Sequence, residues 1–432
     1  MISKNFVSII TVNYNGKKYL KNFLDSAFSL SYPKDKYEVI IVDNNSQDGS
    51  AAYIKRNFPK VNLVLSKKNL GFAAGNNLGM QKAKGELFFL VNNDTVLQKD
   101  SLKNIVSTFK RWNKKGTVGA VNAKMVLIDS YIPLKIKGAT FSRFKLSANA
   151  KSINKHVFVN VCELSNLYTE KVLIPINNNF SGRLNLILWV KPRNSRFKIF
   201  IKEKEFQRGK FNNLAQAKLI KLSLLYKELK KYKVNLIQNA GNFYFRDGHG
   251  RDRGTIVINR NQYYEMDKGQ YDKEEEIPGF CGAGVLINKE ALKDVGYFDE
   301  SFFMYYEDGD LSLRLKESNY MIVYSPKALI RHIHAGSSGE WSDFFIFNAE
   351  RGRLLFVAKH WPRLKAVKEW LKYIANDTIG TPLYYLFIKK DKINAKLKFI
   401  IRLRVNISIF FPFVKGLART NRLNNDKLKG FL

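Results

Sequence analysis

The sequence predicts an α/β protein with a mostly parallel sheet, interrupted by a β-rich insert and followed by a basic helical tail. Three observations predict it. Short β-branched runs alternate with helical spacings over residues 1–133 and again over 234–360. Between them, over residues 134–233, alternation with period two takes over: Leu184, Leu186, Leu188 and Val190 mark one strand face, and Phe197, Ile199 and Ile201 another. Residues 361–432 then mix Phe and Ile with 16 basic and 4 acidic side chains.

Taken in order, residues 6–12 are an apolar run that breaks at Asn15-Gly16, a turn pair. Tyr19, Leu20, Phe23, Leu24, Ala27 and Phe28 recur at the spacings of a helix. Residues 39–42 form a second buried strand, ending in Asp43-Asn44-Asn45-Ser46. A helix over 50–58 and a strand over 61–65 lead to a Gly/Asn-rich loop, Asn69 to Gly79, that enters a helix. That loop has neither a dinucleotide-binding glycine pattern nor a Walker lysine. Residues 87–91 are a fourth strand, stopping at Asn92-Asn93-Asp94. The insert opens with a strand over 157–161 and reads as antiparallel, in the manner of a small sandwich. Beyond it come a Gly-rich strand over 279–288, a helix from Lys289 and an aromatic and acidic cluster from Phe298 to Leu315. A strand over 321–324 and a polar loop with His332 and His334 follow. Sheets of this kind bind ligands at the carboxyl ends of their strands, where the polar clusters fall.

The formal charge is +36, from 73 basic and 37 acidic residues, and it is unevenly placed. Segments 134–233 and 361–432 carry +17 and +12, whereas 1–133 carries +11 and 234–360 carries −4. Such asymmetry predicts a polyanionic partner met by the insert and tail: nucleic acid, an anionic membrane or a phosphorylated substrate. Two cysteines, Cys162 and Cys281, exclude a disulfide scaffold. The first residues lack the apolar stretch of a cleavable signal, and charge-free apolar runs reach about a dozen residues against the ~20 of a spanning helix. An intracellular chain without a membrane-spanning anchor is expected.

Asp43, at a strand end, suits hydrogen bonds from a nucleotide base or ribose, and equally a helix-capping turn. Asp94 offers an oxygen to a hard divalent cation but needs phosphates or another group to complete the shell; an Asn/Asp turn is the other reading. Glu307, Asp308 and Asp310 crowd together behind Phe302, Phe303, Tyr305 and Tyr306. Neighbouring carboxylates beside apolar rings raise one another's pKa, as a general base requires, unless a cation offsets them. The alternative is a set of acids favoured by a helix dipole. His332 is either an inert loop residue or a contact for metal or phosphate.

The order VSIITVNYNG, VDNNSQDGS, NLGFAAGNNLG, FLVNND, GFCGAGVLINKEAL, GYFDESFFMYYEDGDLSLRL and HIHAGSS resembles family-2 glycosyltransferases, most of all the rhamnosyltransferase-like branch. The resemblance covers residues 5–130 and 234–360. It implies a glycosyltransferase-A fold split into a nucleotide-sugar-binding half (1–133) and an acceptor half (234–360). A nucleotide-diphosphate sugar, a glycan or lipid-linked acceptor, a divalent metal (Mg or Mn) and inversion by direct displacement are implied as well. By the same resemblance Val12, Asn13 and Asp43 line the nucleotide, and Gly71, Asn76 and Asn77 hold the donor side. Asp94 is the metal-linked acid of an Asp-x-Asp motif whose first position is here Asn92. Asp308 is the general base with Glu307 as second choice, and His332 contacts metal or pyrophosphate. The tail is expected on the inner membrane face as a basic amphipathic segment. Two other expectations stand beside this one: a nucleic-acid-binding protein, and an inactive sugar-binding module on the same scaffold.

Overall fold

A computed structural model describes residues 6–148, 151–152, 171–176, 183–201, 204–213, 216, 218–258, 261–333, 342–419 and 423. They form two compact units, one of Met1–Met125, Asn239–Arg253 and Asp272–Leu432, the other of Val126–Gln238 and Gly254–Tyr271.

The β-branched runs build the parallel part of the first unit. β1 (Val7–Asn13) lies between β2 (Tyr37–Asp43) and β4 (Leu87–Val91), parallel to both, and β3 (Asn62–Leu65) pairs with the far side of β2. The register sets Asn13 opposite Asp43, so two polar strand ends emerge together. Parallel neighbours cannot be joined by a tight turn. Helices α1 (Lys17–Phe28), α2 (Ser50–Asn57) and α3 (Gly71–Lys82) therefore make the crossings. Val7, Ile9, Val39, Ile41 and Phe89 share one buried cluster with Leu20, Phe23 and Leu24 of α1. Cover on both faces is why these runs are continuous and not alternating.

Three further elements carry the sheet onward: β5 (Thr95–Leu97), α4 (Ser101–Trp112) and β6 (Val118–Leu127). None is anticipated by the sequence reading, although α4 buries Leu102, Ile105, Val106 and Phe109 at helical spacing. Of the Gly-rich strand expected over 279–288, only Gly284–Asn288 is extended, antiparallel to both β4 and β6. The strand expected over 321–324 runs from Met321 to His332, and its end pairs with β5, His332 opposite Thr95. His332 is thus a strand residue, not part of a loop; the polar Ser325, Lys327 and Arg331 break the apolar run and conceal the extension. His334, Cys162 and the strand expected over 157–161 lie outside the described residues.

The second unit is β-rich. One four-stranded sheet orders Lys171–Ile176, Ser130–Lys137, Arg196–Ile201 and Lys204–Lys210. The other orders Lys218–Leu225, Arg183–Pro192, Ala139–Ala148 and Lys151–Ser152. Ile132, Leu134, Phe197, Ile199 and Ile201 of the first meet Leu188, Val190, Ile220 and Leu222 of the second in one core, as a sandwich requires.

After Ser342 the first unit is helical: Asp343–His360, Arg363–Lys372, wider π-type turns over Tyr373–Gly380 and Tyr384–Ile388, then Lys392–Leu417. Trp361, Tyr373, Val405, Ile409 and Phe413 share a core with Phe302 and Leu313. Among the described residues no helix is long and apolar enough to cross a membrane.

Candidate active site

The carboxyl edge of the sheet gathers the sequence-predicted residues into two groups. In the first, Asn13 joins three strand ends. Its Nδ2 donates to Asp43 Oδ2 at 3.0 Å and to Ser46 Oγ at 3.1 Å, and its Oδ1 accepts from Asn93 Nδ2 at 2.7 Å. Asp43 Oδ1 accepts from the Ser46 N–H at 2.9 Å. Both carboxylate oxygens of this buried Asp are engaged, yet each retains a lone pair for a further donor. Gly16 makes the junction possible: a Cβ there would stand 2.2 Å from Asn93 Nδ2 and 2.6 Å from Asn13 Oδ1. Val12 packs against α3 at Gly75. Asn44 Nδ2 donates to the Gly71 carbonyl at 2.8 Å, while its buried Oδ1 has no partner among the described residues.

Along α3, three predicted donor residues are engaged within the protein. Gly71 takes φ +75°, and a Cβ on it would lie 2.3 Å from the Phe303 carbonyl oxygen. Asn76 Nδ2 donates to Phe72 O of its own helix at 2.9 Å. Asn77 Nδ2 donates to Phe298 O at 2.9 Å and Glu300 Oε1 at 3.1 Å, and its Oδ1 accepts from Phe298 N–H at 3.1 Å. These contacts fix α3 against residues 298–303.

Asp94 follows β4, and its buried Oδ1 lies 3.0 Å from His332 Nε2. The strand Met321–His332 delivers that imidazole, and the Ile333 N–H donates to the Asp94 carbonyl at 3.0 Å. No group of three or more His, Cys, Asp or Glu side chains suited to a metal occurs among the described residues. Asp94 and His332 are a two-member set. That fits a hard divalent cation taking most of its shell from diphosphate oxygens and water. Asn92, where a second carboxylate would stand, serves the turn: its carbonyl accepts from Thr95 Oγ1 at 2.7 Å.

The second group sits at the start of the helix Glu307–Glu317. Tyr305 and Tyr306 both have φ 70°, a left-handed backbone that costs L-residues and marks a held conformation. Asp308 Oδ2 accepts from Gly282 N–H at 3.1 Å and Asn242 Nδ2 at 3.5 Å; its Oδ1 accepts from Gly309 N–H at 2.8 Å. Burial, helped by the nearby Asp252 charge, outweighs these hydrogen bonds and pushes its pKa up to about 6. Glu307 is more deeply buried. Desolvation and then the Asp308 charge hold its pKa well above the usual carboxylate range, and Oε2 has no partner among the described residues.

Asp310 departs from the three-acid cluster. Burial would raise its pKa, but His360 at 3.0 Å, Arg314 at 2.8 Å and Lys359 overcome it and hold the pKa well below the usual range. The cation that the sequence reading required as an offset is present for this residue, which is therefore a buried ion-pair centre.

Sequence reasoning misses the support of Asp308. Asn239 Nδ2 donates to Asn242 Oδ1 at 2.6 Å and to Asp252 Oδ1 at 2.9 Å, and Asn122 Nδ2 donates to Asn239 Oδ1 at 3.1 Å. Asn122 Oδ1 accepts from Cys281 N–H at 2.8 Å, and Asn242 Nδ2 donates to Phe280 O at 3.1 Å. This asparagine network holds the backbone of 280–282, whose Gly282 N–H faces the carboxylate. A signal existed: Asn239-Ala240-Gly241-Asn242 ends a short apolar run, as Asp43 and Asp94 do.

The family description "Glycosyl transferase family 2" matches residues 8–167, and "Glycosyl transferase family group 2" matches residues 221–353. The chain is 31% identical over 128 residues to a Methanococcus voltae dolichyl N-acetyl-alpha-D-glucosaminyl phosphate 3-beta-D-2,3-diacetamido-2,3-dideoxy-beta-D-glucuronosyltransferase, covering 27% of this chain and 40% of that protein. It is 39% identical over 66 residues to a Mycobacterium tuberculosis N-acetylglucosaminyl-diphospho-decaprenol L-rhamnosyltransferase, covering 15% and 22%. The matched stretches thus span less than half of either relative's length. Among solved structures it is similar to the mannosyltransferase PcManGT from Pyrobaculum calidifontis in complex with GDP-Man and Mn2+, with a TM-score of 0.42 and 12% identity over 95% of this chain and 88% of that one.

Proposed function

This chain belongs to glycosyltransferase family 2, and we propose that it moves a sugar from a nucleotide-diphosphate donor to a hydroxyl of a glycan or lipid-linked acceptor in surface polysaccharide synthesis, with inversion. Asp308 is the base. The acceptor oxygen attacks the anomeric carbon, its proton passes to Asp308, and the bond from that carbon to the diphosphate oxygen breaks. The observation that carries this is the Asp308 carboxylate itself: oriented by the Gly282 and Gly309 N–H groups, yet with a pKa of about 6, high enough to accept a proton near neutrality.

Val12, Asn13 and Asp43 line the nucleotide, the spare lone pairs of Asp43 accepting from base or ribose. Gly71, Asn76 and Asn77 shape the donor side by fixing α3. Asp94 and His332 would hold a divalent cation, Mg or Mn, which when bound offsets the charge of the departing diphosphate. Glu307, which burial and then the Asp308 charge push toward its protonated form, limits the second negative charge beside Asp308. The short likeness to a rhamnosyltransferase makes an activated deoxyhexose the first donor to screen.

Asp308→Asn tests the assignment. Transfer should fall by at least about a hundredfold while donor binding, read by calorimetry, is retained; unchanged turnover would sink it. We also place the chain at an anionic membrane surface, because the tail carries 16 basic against 4 acidic residues beside its aromatic side chains.

A further inference from the structure

We propose that the helical arms spanning residues 363–417 form the lipid-docking surface, entered by the turn between them. This rests on the membrane placement above and deepens it by naming the surface and the residues that enter.

The helix Lys392–Leu417 carries two apolar stripes. One, with Ile401, Val405, Ile409 and Phe413, is buried within the first unit. The other recurs every three, four or seven residues as Ile393, Leu397, Ile400, Ile407, Phe411 and Val414, which puts it on the opposite side. Ile393, Ile407 and Phe411 are 83%, 68% and 79% exposed. The preceding arm ends at Phe387 and Ile388, 67% and 68% exposed. Lys389, Lys390 and Asp391 make the turn, with Lys390 at φ 54° and Asp391 capping the next helix through the Asn394 N–H at 3.0 Å. Three highly exposed apolar residues therefore flank Lys389, Lys390 and Lys392 at one tip. The arms are held against each other by Trp370, which donates to Asn406 at 2.8 Å and packs its ring against Phe413 with centroids 4.6 Å apart, and by Asn406 donating to Thr378 at 2.9 Å. The tip is the end of a braced hairpin.

A helix apolar on two sides needs something to cover the second. Charge selects the occupant. Residues 363–419 hold 13 basic and three acidic side chains, of which Glu369 is buried and Asp391 is the cap. A second copy laid stripe to stripe would face Arg404 and lysines of the same sign, with no acid on the stripe to pair them. Anionic headgroups offset them all. The arms then lie in the headgroup boundary with Phe387, Ile388 and Ile393 below it.

Flotation of the full chain with phosphatidylcholine vesicles, and with phosphatidylcholine mixed with phosphatidylglycerol, tests this. The mixed vesicles should capture the chain and the neutral ones far less. The variants Phe387→Ser/Ile388→Ser/Ile393→Ser and Lys389→Gln/Lys390→Gln/Lys392→Gln should each bind roughly tenfold or more weakly, with unchanged melting temperature. If the parent floats with neither vesicle, the membrane placement fails and this surface with it. If the parent floats and both variants float equally well, the placement stands and this surface is overturned. A parent that is dimeric in solution and made monomeric by Ile407→Glu/Phe411→Glu overturns it as well.

Discussion

His360 Nε2 lies 3.0 Å from Asp310 Oδ1, with both side chains fully buried. Arg314 and Lys359 meet the same carboxylate, so one acid ties the helix bearing the proposed base to the helix Asp343–His360. An ion cluster out of water is costly to assemble and more costly to break, since removing one member strands the others.

Asp310→Asn should therefore destabilise the protein by about 3–5 kcal/mol, read by denaturant titration. The pH dependence has a definite sign. Because the charged form is favoured in the fold, the stabilisation is full above the ordinary pKa of 3.8 and is lost as pH falls below it. The variant should lose that acid-dependent component, and equal acid sensitivity in both proteins would count against the cluster.

Asp308 has the opposite electrostatics. Transfer should rise with pH through about 6 and level off above it, because only the carboxylate accepts the proton. For stability, the protonated form is favoured in the fold; that contribution is full below 3.8 and is lost as pH rises through about 6. Burial is the main cause of the shift and the Asp252 charge adds to it. Asp252→Asn should then move the midpoint of the kcat profile to lower pH, and a midpoint that stays put refutes that coupling.

Asp94→Asn and His332→Ala should each weaken divalent-cation activation roughly 10- to 100-fold, measured by Mn titration after chelation. Asn92→Asp supplies the carboxylate that the motif lacks here, and should tighten the same constant. Identical activation curves for parent and all three variants would remove metal from the reading of this strand edge.

Gly16→Ala places a methyl group 2.2 Å from Asn93 Nδ2 and must push apart the Asn13 junction. A cost of about 1–3 kcal/mol is expected. Calorimetry should show weaker nucleotide binding as well, because Asp43 loses its Asn13 donor. Unaltered affinity would mean that the junction does not shape the nucleotide pocket.

The parallel strands are legible because burial on both faces makes Val7–Val12, interrupted only by Ser8 and Thr11, and Val39–Val42 apolar runs ending in polar clusters. Asp43 and Asp94 are legible for the same reason, since each sits where such a strand stops, whereas Asp308 is legible from the crowding of acids behind Phe302, Phe303, Tyr305 and Tyr306. The support of Asp308 is not. Asn122, Asn239 and Asp252 reach it from three separate segments, and sequence spacing carries no trace of a hydrogen bond between residues 122 and 239. Asp310 is misleading for a related reason, since His360 and Lys359 that neutralise it lie some fifty residues away. The strand to His332 is hidden because beyond Tyr324 the polar Ser325, Lys327 and Arg331 break the apolar run, although Ala328, Ile330 and His332 stay buried.

Under the proposed nucleotide assignment, Asn13 bears on how this enzyme could acquire a different donor. Its carboxamide touches Asp43, Ser46 and Asn93 at once, so replacing it loosens three loops in a single step. The exposed Gln47 side chain, which reaches only Asn45, can vary without that penalty. Libraries built to change the accepted nucleotide should therefore start at such exposed positions and leave position 13 fixed.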